Sequence, residues 1–300
     1  MAMVLEPIAN AVRCTEASRE TAGIVNIPDD LPVIDLEAIL GAIADSEWQQ
    51  PFVLVLDTSL FGTRFQIAEV LSRFRLPHNV HVVTWASLQK LHMEGLEQAT
   101  GGVVTLHSAD SDSHRQVLAR LRRSRHVVGA ETSLLQAIAL DRLDWSWESI
   151  DRRCRAILGN AGLLARRIAE GADGIVCHPA LAGHPDHQVW VRHGRLGIPF
   201  VLLWIGGERR ERFLDALGRS LIAAGLPGIT SRDSFGFSTL SQTEILFGTS
   251  AERLRLAPGH SDTPLIERMA DIIVDVLAGL DEVRRPSSRS GDTCLRATAP

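Results

Sequence analysis

Asp57, Ser87 and Lys90 carry groups that can act together on one molecule. Asp57 closes the apolar run "FVLVLD", Ser87 closes "VHVVTWAS", and Lys90 stands between that run and "GGVVTLHS". A lysine amine condenses with a carbonyl and can then hold or pass on a proton, provided it is kept near its target. Each residue also has an ordinary structural use. A loop lysine can simply face solvent, and an acid at a strand end can cap the next element. The order is what narrows the choice. Strand ending in an acid, helix, strand, Ser-x-x-Lys is the layout that pyridoxal 5'-phosphate (PLP) chemistry requires. There the lysine anchors the cofactor, the acid keeps the ring nitrogen protonated, and a nearby hydroxyl can hold the phosphate.

The surrounding pattern supplies the elements this layout needs. "LEPIANAVR" predicts a partial helix within residues 1–20, followed by a strand at "AGIVNIP", a loop at "DDLP" and a helix at "IDLEAILGAIAD". "PFVLVLD" reads as a strand buried on both faces. Phe65, Ala68, Leu71 and Phe74 repeat at helical spacing, and two strands then flank Lys90. Such alternation implies a largely parallel sheet wrapped by helices, with ligands collecting outside the strands' carboxyl ends. Residues from about 144 to 170 read as helix, and a second α/β lobe follows. Thr263 is placed to cap a last helix with Pro264 at its first position, and Leu265, Met269, Ile272, Ile273, Val276 and Leu280 form its apolar stripe. The resulting division is 1–155, 156–283 and a polar tail at 284–300, predicted to be disordered.

Composition excludes several classes. The chain has 300 residues, 45% of them hydrophobic and 22% charged, enough to bury a sizeable core. A formal charge of -5 without a long basic run argues against a nucleic-acid surface. Cys14, Cys154, Cys177 and Cys294 form no CxxC pair, which suits a reducing cytoplasm. The longest apolar run, "IPFVLLWIGG", is too short to cross a bilayer, and the first residues lack the order of a secretory signal. His178, His184 and His187 lie close in sequence, but their spacing and the two intervening prolines do not match a helical zinc motif. "EGADG" and "LWIGGER" are too short to be nucleotide loops.

The chain resembles the cysteine/methionine-metabolism family of PLP enzymes, which includes cystathionine γ-synthase and the cystathionine and methionine lyases. The resemblance rests on Asp57-Thr58-Ser59, Ser87-Leu88-Gln89-Lys90 and Gly101-Gly102-Val103-Val104. It continues through "RLDWSWESIDRRCRAILGNAGLLARRIAEG", "HPALAGHPDHQ", "DSFGF" and "RLRLAPGHSD", from about residue 5 to residue 282. It implies an α/β fold of the aspartate-aminotransferase type (fold type I), with a truncated large domain and a carboxyl-terminal small domain. It also implies PLP as cofactor, Lys90 as its Schiff-base lysine, Asp57 on the ring nitrogen, Ser87 and Gln89 at the cofactor, and Arg255, Ser234 and Asp30 at an amino acid substrate.

The resemblance begins partway through the family's large domain. The family's phosphate loop and stacking tyrosine have no counterpart, and the chain contains no tyrosine at all. Gln89 stands where the family has a hydroxyl, and Asp30 where it has an asparagine, a change unfavourable to a carboxylate. The expectation is a subunit whose site is completed by a partner chain or within a homo-oligomer, and which eliminates or replaces a β or γ substituent. The alternative is a non-catalytic subunit that stabilises or regulates a complete homologue.

Overall fold

A computed structural model describes residues 2–6, 11–15, 33, 35–62, 66–88, 90–91, 101–142, 146–172, 174–194, 198–232, 239–244 and 253–280. The predicted strand at "AGIVNIP", the polar tail, and Phe65, Gln89, Asp30 and Ser234 lie outside the described residues.

Two sheets of five strands each organise these residues. The first runs β2-β1-β3-β4-β5, from β1 (Ala2–Glu6), β2 (Ala11–Thr15), β3 (Phe52–Asp57), β4 (Val80–Ser87) and β5 (Gly102–Ser108). The predicted helix near the start is therefore corrected: β1 and β2 pair antiparallel in the register Ala2↔Thr15. The apolar residues of that stretch fit a helical repeat loosely, and the pairing of β1 with β3 and of β2 with β1 makes a sheet edge instead. The expected parallel core is present at β1-β3 and β3-β4, but both outer pairings are antiparallel. β3 buries Phe52, Leu54 and Leu56 fully on one face and leaves the alternate residues half-buried. Helix α1 (Leu36–Ala44), capped by the Asp35 carboxylate on the Ala38 N–H, covers that face with Leu36, Leu40 and Ile43. α2 (Ile67–Leu71) is shorter than its repeat suggested.

The chain then forms α3 (Ser111–Val127), α4 (Leu134–Asp141) and α5 (Trp147–Gly171). α5 is the spine of the molecule, about 37 Å long at 1.5 Å per residue. Its first half packs Ile150, Cys154 and Ile157 against Leu60 and Leu91, and its second half carries Leu164, Ala165 and Ile168 into a separate core. The boundary expected at residue 155 falls inside this helix.

The second sheet runs β6-β7-β10-β9-β8, from β6 (Val176–Cys177), β7 (Val201–Trp204), β8 (Thr230–Ser231), β9 (Ser241–Glu244) and β10 (Arg253–Ala257). A short α6 (His187–Arg192) precedes β7, and α7 (Gly207–Ala223) and α8 (Thr263–Ala278) pack over the sheet. Asp262, one residue earlier than predicted, is the N-cap of α8, with Pro264 in its first turn. The stripe is also turned slightly. Ile266, Met269, Ala270, Ile273 and Leu277 are fully buried, while Leu265, Ile272, Val276 and Leu280 flank them.

Candidate cofactor site

β3 and β4 are parallel neighbours with Asp57 opposite Trp85, so Asp57 and Ser87 emerge at the same end of the sheet. Hydrogen bonds stitch the two strand ends together. The Ser59 N–H donates to Asp57 Oδ1 at 2.8 Å, an Asx turn, and Ser59 Oγ accepts the Ser87 N–H at 2.8 Å. The Thr58 N–H and hydroxyl both donate to the Trp85 carbonyl, at 2.8 and 3.1 Å. Asp57 is half-buried, and its second carboxylate oxygen accepts no hydrogen bond from a described residue.

Lys90 follows in the turn after β4, half-buried. Its position is fixed by its neighbour Leu91, which is fully buried among Leu60, Cys154 and Ile157. Gly62 makes this seating possible. Its φ is +55°, and a Cβ there would lie 2.5 Å from Cys154 Sγ and 3.1 Å from Leu91 Cδ1.

Arg255 lies in the middle of β10, opposite Leu202 of β7 and Thr243 of β9. Its Nη2 donates to Thr243 Oγ1 at 2.6 Å and to the Arg232 carbonyl at 3.5 Å. Its guanidinium carbon stands 5.3 Å from the Phe200 ring centroid. Phe200 and Ala257 belong to the same apolar cluster as Leu91. The segments bearing Lys90 and Arg255 therefore adjoin one apolar cluster. Buried Asn160 of α5 holds the chain just beyond β10, donating to the Gly259 and Ser261 carbonyls at 3.0 and 2.8 Å.

A second set of contacts ties the chain after Asp30 to α6. The Val33 N–H donates to Asp186 Oδ2 at 3.0 Å, and Asp35 pairs with Arg192 at 2.9 Å and His193 at 3.3 Å. Burial works against the Asp35 carboxylate, but the Ala38 N–H, His193 and Arg192 outweigh it and hold its pKa below the usual range.

The histidines of "HPALAGHPDHQ" serve the turn itself. His178 Nδ1 accepts the Ala180 N–H at 2.9 Å, and Nε2 meets the Ile198 carbonyl at 3.3 Å. Burial pushes His178 down to about 3, so it stays neutral. His184 Nδ1 accepts the Asp186 N–H, and His187 Nδ1 donates to the Pro179 carbonyl. Among the described residues, no group of three or more His, Cys, Asp or Glu is arranged to hold a metal.

The structure thus joins Asp57 to Ser87 and sets Lys90 and Arg255 on a common core; Asp30, Gln89 and Ser234 lie outside the described residues. Ser59, Gly62, Leu91, Phe200 and Asn160 were not legible as site residues. Only Ser59 carried a signal, through its place in the Asp-Thr-Ser run.

This is an α/β fold of the aspartate-aminotransferase type, fold type I. Three solved structures illustrate the likeness. Methionine γ-lyase CalE6 from Micromonospora echinospora has 19% identity and a TM-score of 0.60, over 84% of this chain and 62% of its own. Cystathionine γ-synthase from Xanthomonas oryzae pv. oryzae has 18% identity and a TM-score of 0.60, over 93% and 64%. O-acetylhomoserine sulfhydrylase from Wolinella succinogenes has 17% identity and a TM-score of 0.57, over 91% and 70%. The chain thus spans less than two thirds of the length of the first two. No family model and no curated protein matches the sequence. Among the described residues, no helix is long and apolar enough to cross a membrane.

Proposed function

We propose that the chain is a subunit of a PLP-dependent enzyme that eliminates or replaces a β or γ substituent, sulfur- or oxygen-linked, on an amino acid. A partner chain completes the site. The observation that carries this reading is the hydrogen-bond chain Asp57–Ser59–Ser87, which fixes an acid and a hydroxyl at the strand ends beside Lys90. The donor set fits the cofactor. Lys90 offers an amine for covalent attachment, Asp57 keeps a carboxylate oxygen for a protonated ring nitrogen, and the Ser87 hydroxyl donates to no described residue. When bound, PLP supplies an electron-withdrawing ring that stabilises negative charge at the substrate Cα.

Each remaining task falls to a residue of this chain. The Lys90 amine takes the Cα proton and returns it, a role that requires it neutral and within reach. Asp57 holds the positive charge on the ring nitrogen. Arg255 grips the α-carboxylate, for which a planar guanidinium fork is suited. The anchoring of Arg255 by Thr243 and Phe200 pre-sets that fork.

The same anchoring supports a second reading, in which Arg255 is structural and the chain is a non-catalytic subunit that stabilises or regulates a complete homologue. Adding PLP to the chain purified from its native cells, with any bound partner, separates the two. Catalysis predicts yellow colour and turnover of a γ-substituted or β-substituted amino acid, with both lost in Lys90→Ala. Colourless protein that still binds a full-length homologue supports the non-catalytic subunit.

A further inference from the structure

The first sheet holds a second cluster of titratable side chains, away from the proposed cofactor site. His81 stands near the start of β4, at the opposite end from Ser87, and is 1% exposed. Hydroxyls meet both of its ring nitrogens. Nδ1 lies 3.0 Å from Ser108 Oγ at the end of β5, and Nε2 lies 2.9 Å from Ser113 Oγ in the first turn of α3. Ser108 Oγ donates in turn to the Asp110 carbonyl at 3.3 Å, and the Ser113 N–H donates to the Asp110 carboxylate at 2.6 Å. One imidazole thus joins β4, β5 and α3.

These bonds fix the protonation state of the ring. The Ser108 proton is committed to Asp110, so Ser108 Oγ accepts from the Nδ1–H of His81. Nε2 is then the acceptor, and the Ser113 hydroxyl donates to it. A proton on Nε2 would reverse that last bond and leave a positive charge in unfavourable surroundings. The ring is buried, His114 of α3 repels the charge, and the positive end of the α3 dipole opposes it. β3, the other neighbour of β4, sets apolar Val53 opposite His81. Asp110 favours the charge, but one of its carboxylate oxygens is already bound to the Ser113 N–H. Burial first, then His114, therefore lowers the His81 pKa against the pull of Asp110. His107, one residue before Ser108, shares the pattern. Its Nε2 is buried without a hydrogen-bond partner among the described residues, and burial together with His114 lowers its pKa. α3 itself buries no residue fully, so its hold on the sheet leans on this bridge.

We propose that the bridge is an acid-released latch: protonation of His81 detaches α3 from the sheet while the second lobe stays folded. The direction follows from linkage. An imidazole that resists protons in the closed form accepts them near pH 6.5 once the latch is open. The closed form has its full stability above about pH 6.5. Below it, each pH unit raises the open fraction by up to about tenfold per imidazole. His107 adds to the same slope, because detaching α3 carries His114 away from both rings. The latch does not depend on the catalytic reading.

Amide hydrogen exchange tests it on the full chain, together with any partner that co-purifies. Rates corrected for the intrinsic pH dependence of exchange are compared for peptides from α3, α7 and α8, from about pH 7.5 to about pH 5. Three forms are measured: wild type, His81→Gln and His114→Gln. The latch predicts that α3 exchange rises by about tenfold or more at the acid end while α7 and α8 stay protected. His81→Gln keeps a donor and an acceptor but cannot take up the proton, so most of the rise should vanish. His114→Gln removes the repulsion and should move the rise to lower pH. No rise in α3, an equal rise in α7 and α8, or an undiminished rise in His81→Gln each overturns the latch. Should His81→Gln already be open at neutral pH, His114→Gln decides: a profile shifted to lower pH supports the latch, and an unshifted one overturns it.

Discussion

Among the described residues the two sheets are each five strands wide, yet they are covered differently. In the second, Val201, Leu203, Leu254 and Leu256 are fully buried beneath α5, α7 and α8, and the sheet supplies its own core. In the first, α1 closes over β3 and β4, but cover fails toward β5. The residues proposed for the chemistry adjoin one apolar cluster to which Leu91, Phe200 and Ala257 all belong. Arg255 rises from the closed sheet, and Lys90 and Ser87 stand at the uncovered end of the open one. Among the described residues, the second sheet is covered by its own helices, while the site end of the first is exposed.

The contrast can be broken most forcefully in the closed lobe. Leu217→Ala removes a fully buried side chain of α7, and an equilibrium denaturant titration should show a loss of about 2–5 kcal/mol. A smaller loss would mean that this core is looser than its burial implies.

Acid comes next, and it acts on both lobes. Burial lowers His178 in the second lobe, and burial together with His114 lowers His81 and His107 in the first. A histidine with a depressed folded pKa contributes its full stability above the unfolded value near 6.5. Below that, the unfolded chain takes up protons that the folded chain refuses. Stability should therefore fall as pH drops from 6.5, and the His178 contribution should continue to fall to about 3. Urea midpoints across that range should show the slope, and His178→Gln should remove only part of it.

At the junction, Gly62→Ala should cost roughly 1–3 kcal/mol through its left-handed backbone and the contact with Cys154. It should also weaken PLP binding, because Leu91 and the Lys90 turn must shift. Stability loss without any change in PLP affinity would separate the apolar cluster from the site. The smallest effect belongs to the open edge. Val104→Thr should change stability of the isolated chain by no more than about 0.5 kcal/mol, measured by thermal unfolding. A core-sized loss would show that β5 is already covered.

Much of this was legible from the sequence, for reasons that also mark the limits. "FVLVLD" and "VHVVTWAS" read as strands because long apolar runs bounded by turns have few other uses. Asp57 and Ser87 could be placed because each ends such a run, and Lys90 because it stands between two of them. The strands β1 and β2 were misread, since they are set by pairing, β1 with β3 and β2 with β1, rather than by their own period. Ser59 and Gly62 work through a turn hydrogen bond and a close approach, neither of which leaves a periodic trace. The exposure of β5 could not be read at all. Val103 and Val104 look like core residues, and only the arrangement of neighbouring elements reveals that nothing among the described residues covers them.

The central claim is that Lys90 is the covalent anchor of PLP. The direct measurement is borohydride reduction of the PLP-treated protein, together with any partner that co-purifies with it, followed by peptide mass mapping. The account predicts one stoichiometric phosphopyridoxyl adduct on the peptide carrying Lys90, and its loss in Lys90→Ala. An adduct on the partner instead, or none on Lys90 in a complex that binds PLP, would contradict it.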